Sequence, residues 1–143
     1  MSILADFFVA TPEDARKYAT AGSREDGLRA KLSPAEYKSF TSVEIGSLWA
    51  ILALEEWDVS RHDLDDESLE NEDESWLLRF PQPLVQLLGT ASESELTLAN
   101  AQWAETEELK CLPNELLPVT LDLQRLAKES IASGKPMYLW GSL

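Results

Sequence analysis

Apolar positions along the chain fall into short clusters whose spacing alternates between strand-like and helix-like. Residues 2–10 carry Ile3, Leu4, Phe7, Phe8 and Val9 with no Gly or Pro, which predicts a buried strand. Thr11, Pro12, Glu13 and Asp14 then supply a capping hydroxyl, a Pro suited to the first helical position and two acids at the positive end of a helix dipole. Gly22 and Gly27 bracket a polar loop over 21–31, and a short strand is expected over 36–40. Thr41 and Glu44 have the spacing of a capping box. The helix after them sets Ile45, Leu48, Trp49 and Leu52 three or four residues apart, with Ile51 and Leu54 beside them. A helix apolar nearly all round is a buried one, so this is the expected central helix.

In the second half, Trp76, Leu77, Leu78, Arg79 and Phe80 form a predicted strand that Pro81 stops, and a short helix over 82–88 ends at Gly89. Ser92 and Glu95 make a second capping box, opening a helix to about residue 109. Leu96, Ala99 and Trp103 share one face of it while Leu98 and Leu109 lie nearly opposite, so two neighbours are expected. Residues 111–114 read as a break. The last helix, over 119–133, turns Val119, Leu123, Leu126, Ala127 and Ile131 inward and stops at Gly134 and Pro136. Met137, Tyr138, Leu139 and Trp140 read as a closing strand. The sum is one α+β domain: a small mixed sheet of three to four short strands, the first and last in the same sheet, covered on one face by four to five helices.

Charge changes this picture at one place. The 143 residues hold 26 acids against 12 bases, a net charge of −14. Residues 55–74 alone contain eleven acids and one base, Arg61, whereas residues 1–40 are neutral. Such a run repels itself, so a mobile loop is expected at about 58–75. The net charge repels nucleic-acid phosphates and anionic membrane surfaces, and implies a basic protein or a cationic small molecule as partner. The longest apolar run, 48–54, is too short to span a membrane. With no basic leader and a lone cysteine, the expected compartment is the cytoplasm, and oligomeric state is not legible.

The candidate chemistry sits mostly in this acidic segment. His62, flanked by Asp58 and Asp63, has the setting of a general base; the plainer reading is a surface histidine in an acidic loop. Asp63, Asp65, Asp66, Glu67 and Glu70 offer hard oxygen ligands, but no glycine occurs between 55 and 88 to make the turn of a calcium loop. A solvated charge run is the plainer reading there. Cys111 follows a helix end rich in Glu105, Glu107 and Glu108, a setting that raises a thiol pKa, so it reads as a small buried hydrophobe. The six glycines are too far apart for a phosphate-binding loop, and no cofactor is expected. Trp57 stands at the edge of the acids as the most exposed of five tryptophans; its ring face and the neighbouring carboxylates can hold a cation together, although packing is the commoner role.

Three stretches, SILADFFVATPEDA, SLWAIL with EEWDVS, and KPMYLWGSL, resemble small uncharacterised bacterial proteins, and the layout is similar to the YfbM-like family of unknown function. The resemblance implies a bacterial cytosolic α+β domain and assigns no functional residue. The binding site expected from the residues themselves comprises Trp57, Asp58, His62, Asp63, Asp65, Asp66, Glu67 and Glu70. It belongs to a non-catalytic interaction domain of the inhibitor, immunity or adaptor kind; the alternative is a small carboxylate-dependent enzyme.

Overall fold

The computed structural model describes residues 3–20, 26–67 and 75–143. Its elements run β1 (Leu4–Val9), α1 (Pro12–Thr20), α2 (Asp26–Leu32), β2 (Ala35–Lys38), α3 (Ser42–Ala53), β3 (Asp65–Asp66), β4 (Ser75–Arg79), α4 (Gln82–Thr90), α5 (Glu93–Ala104), α6 (Pro113–Ser133) and β5 (Met137–Ser142). The sheet order is β2-β1-β5-β4-β3. β1 and β5 do share a sheet, paired along their whole length from Leu4 opposite Ser142 to Val9 opposite Met137.

The expected mixed sheet of three to four strands is instead five-stranded and antiparallel at every pairing. The extra strand is β3, two exposed aspartates with no apolar alternation to reveal it. Two helices separate β1 from β2, so the chain returns to the end of the sheet where β1 finished and β2 runs back beside it. Covering is also two-sided, against the expectation of one covered face. Ala5, Phe7 and Val9 of β1 and Met137 and Leu139 of β5 belong to a core with α3, α4, α5 and α6. Phe8, Tyr138 and Trp140 point the other way, into a smaller core with Ala15, Tyr18 and Ala19 of α1. Strands buried on both faces read as continuous apolar runs, which is how β1 and β5 look in the sequence.

Rings tie each layer to the sheet. Phe7 meets Phe80 edge-on at 6.1 Å, and Phe8 lies 4.8 Å from Tyr18, whose hydroxyl donates to the buried carboxylate of Asp6. Both capping boxes form. The Thr41 N–H donates to Glu44 at 3.0 Å, and Ser92 and Glu95 exchange bonds of 2.9 and 3.1 Å.

Several expected elements and boundaries change. The six helices among the described residues include α2, which occupies part of the expected loop 21–31. α5 ends at Ala104, short of the expected 109, where Glu105 caps it. α6 begins at Pro113 rather than near 119. Pro118 lacks one N–H, but the first turns are held by buried Leu116 and by Asn100, whose side-chain amide donates to the Pro113 carbonyl at 2.9 Å. α4 runs through Gly89 to Thr90, since that glycine does not adopt the left-handed backbone that ends a helix; a Cβ there would meet the end of the Ile131 side chain at 2.5 Å.

Tyr37 of β2 donates its phenol to Asp122 of α6. Burial, then the Asp122 hydrogen bond, push its pKa up from 10 to about 12. The folded state therefore holds this proton more tightly than the unfolded chain. Its contribution is complete below pH 10 and is lost as pH rises through about 12. Denaturant titrations across that window should show wild type losing more stability than Tyr37→Phe; equal slopes would mean that the bond is not formed.

Candidate functional site

α3 is capped by Leu54, which adopts a left-handed conformation at φ 58° and turns the chain back over the helix. The next residues form a closed turn. Asp58 accepts from the Ser60 N–H at 2.9 Å and the Ser60 hydroxyl at 2.7 Å, and these bonds hold its carboxyl below the usual range. The His62 N–H donates to the Asp58 carbonyl at 2.7 Å, and the Asp58 N–H donates back to His62 Nδ1 at 3.0 Å. With Nδ1 accepting, the ring proton sits on Nε2, which lies 3.3 Å from a Glu55 carboxylate oxygen. Arg61 grips the same carboxylate through Nε at 3.0 Å and Nη2 at 3.1 Å. Glu55 is accordingly held below the usual carboxylate range, by Arg61 first and His62 second.

His62 is thus not the surface histidine expected from its acidic neighbours. It is 2% exposed, its ring edge-on to Trp49 at 5.3 Å, and it is the hub of the turn. Both ring nitrogens are engaged by groups of the chain itself. Cys111 is half-buried, its thiol pushed up by burial and then by Glu115. Among the described residues, no three His, Cys, Asp or Glu side chains gather as metal ligands.

The other predicted site residues divide by what holds them. Asp63 accepts from the Ser42 hydroxyl and from the Leu64 N–H, tying the loop to the start of α3. Glu67 pairs with Arg79 at 2.9 Å and its carbonyl accepts from Arg16 at 3.0 Å, which ties β3 to β4 and α1. Asp65 and Asp66 are exposed on β3, opposite Arg79 and Leu78. Asp65 shares the wall of a cleft of about 330 Å³ with Arg79 and Lys135, between the start of α4 and the end of α6. Glu70 lies outside the described residues, as does the part of the expected mobile loop over 68–74. The part over 58–67 is hydrogen-bonded to its surroundings rather than free.

Among the outward residues of this loop is an alternation: Glu56, Trp57, Asp58 and Val59 are all exposed, Trp57 by 45%. The loop rests on α3 where the helix has Gly46, so closely that a Cβ would lie 2.2 Å from the His62 carbonyl oxygen and 3.3 Å from Trp57 Nε1.

Beside the loop is a feature that the sequence reading missed. The ends of α3 and α4 and one face of α5 enclose a groove of about 310 Å³, lined by Ile51, Leu52, Leu54, Leu87, Glu95 and Leu98 among others. Leu98 was expected to face a second neighbour of α5, yet it is 61% exposed. The signal was present as an absence: stretches 39–60 and 80–109, which build α3, α4 and α5, contain no Lys or Arg.

No family model, curated protein or solved structure matches the chain. No described helix is long and apolar enough to cross a membrane.

Proposed function

We propose that this protein is a non-catalytic interaction domain, of the inhibitor, immunity or adaptor kind, which receives a basic partner on the acidic surface over residues 55–67. One observation carries the reading. A loop built around a buried histidine presents Trp57 and Val59 to solvent, alternating with Glu56 and Asp58. Exposed aromatic anchors on a preorganised backbone are what hot spots are made of, and the flanking charge speeds encounter with a cationic surface. The alternative, a carboxylate-dependent enzyme, has less support, because Glu55, Asp58, Asp63 and Glu67 are each engaged by donors of the chain itself. The resemblance to the YfbM-like proteins adds a bacterial cytosolic setting to the proposal and nothing on the partner.

The variants that test it leave the anchoring acids alone. Capture from cell lysate at low and high salt should show basic proteins retained by wild type at low salt and released as the Debye length falls below about 8 Å. A combined Glu56→Gln, Trp57→Ala, Asp65→Asn variant should retain few of them. If it captures the same proteins as wild type at both salts, the segment serves only solvation.

A further inference from the structure

We propose that the groove between the ends of α3 and α4 and the face of α5 receives a cationic amphipathic helix of a partner protein. The inference rests on the reading above and names the chemistry of its partner. Its first support is the apolar surface left open. Leu54 is 92% exposed and Leu98 61%, above a floor of half-buried Ile51, Leu52 and Leu87. Leu54 is doubly out of place. At φ 58° a Leu is disfavoured where Gly or Asn fits, and its side chain gains nothing from burial within this chain. A residue that opposes both backbone preference and solvation is a residue kept for another contact.

Charge then restricts what that contact is. The stretches that build this face carry Glu56, Asp58, Glu93, Glu95, Glu105 and Glu108 with no base among them; Arg61 and Lys110, just beyond, are paired with Glu55 and Glu107, and Glu95 lies on the groove wall itself. An apolar stripe flanked by Lys or Arg is complementary to it. An anionic bilayer surface is repelled, and a second copy of a chain of charge −14 approaches against its own field.

The walls decide between a helix and an extended peptide. All three are helices, whose backbone donors and acceptors are satisfied internally, so a strand laid here finds no ladder to join. An amphipathic helix satisfies its own backbone and needs from the groove only sites for apolar anchors at i, i+3, i+4 and i+7.

The test uses a defined probe, a labelled Leu/Lys amphipathic peptide of about 18 residues, roughly 27 Å of helix. Its controls are a Lys/Ser peptide of equal charge and a Leu/Glu peptide, all followed by fluorescence anisotropy. Wild type should bind the Leu/Lys peptide at least about tenfold more tightly than either control (about 1.4 kcal/mol). Leu98→Ser and Leu54→Asn should each remove most of that preference. Both positions are already exposed, and Asn suits the left-handed backbone, so circular dichroism should show the fold retained. Equal binding of the Lys/Ser and Leu/Lys peptides, unaffected by either variant, overturns the groove while leaving the acidic surface standing. Binding of no cationic peptide overturns both readings. Sedimentation showing a dimer that Leu98→Ser dissociates assigns the groove to a second copy and likewise overturns the proposal.

Discussion

Trp103→Ala should lower the unfolding free energy by about 3–5 kcal/mol, the range for deleting a buried large aromatic side chain. Trp103 is fully buried on α5, 5.7 Å from the Phe40 ring and part of the core shared with α3, α4 and α6. Its indole N–H donates to the Glu44 carbonyl in the first turn of α3 at 2.9 Å. Truncation therefore leaves a cavity between two helices and removes the bond that joins them. Domains of this size hold only about 5–15 kcal/mol in total, so the variant should unfold at a much lower urea concentration. Trp103→Phe separates the terms: it keeps most of the volume and loses the donor, and should fall between wild type and Trp103→Ala. A loss below about 1 kcal/mol for Trp103→Ala would contradict the packing of α5 against α3.

Gly46→Ala should destabilise although it replaces a glycine inside a helix, where the exchange ordinarily gains up to about 1 kcal/mol. The added Cβ falls 2.2 Å from the backbone oxygen of His62, and a backbone atom cannot turn aside as a side chain can. Either α3 bends or the loop lifts, at a cost of about 1–3 kcal/mol, typical of overpacking. Lifting carries the whole turn, with its His62 ring, away from Trp49 of α3, so the substitution should also expose residues 55–64 to proteolysis before global unfolding. Limited proteolysis with mass mapping reads this directly. A stabilised, equally resistant Gly46→Ala protein would mean that the loop does not rest on α3.

These two sites differ in how far the sequence exposes them. Trp103 shares a helical face with Leu96 and Ala99, so periodicity alone assigns it to the core, and all three are buried. The capping boxes at Thr41 and Ser92 are legible for the same reason: their partners lie three residues apart, and local spacing is what a sequence displays. His62 reads as exposed because every charged neighbour in the chain argues for water. Its burial is created by Trp49, thirteen positions earlier, and by a turn that closes on Glu55. β3 escapes notice because two aspartates carry no alternation, and its existence depends on β4 offering an edge. Leu98 misleads in the opposite sense, since periodicity places a residue on a face but does not say whether any element covers that face. The candidate site is thus half legible: its acids and Trp57 are read from the chain, whereas the hub and the groove arise only from folding.

The pairing of β1 with β5 sets an order of events during synthesis. β1 gains β2 on one edge early, once Ala35–Lys38 are made, but its other edge is filled only by Met137–Ser142. At about 5–20 residues per second a ribosome needs roughly 6–26 s to pass from the end of the first strand to the start of the last. Throughout that interval Phe7, Phe8 and Val9 have an open backbone edge beside them, and the middle of the sheet cannot close. The nascent chain must therefore be kept from pairing with its neighbours on the polysome, and a product truncated before Met137 would be aggregation-prone rather than a slightly shortened domain.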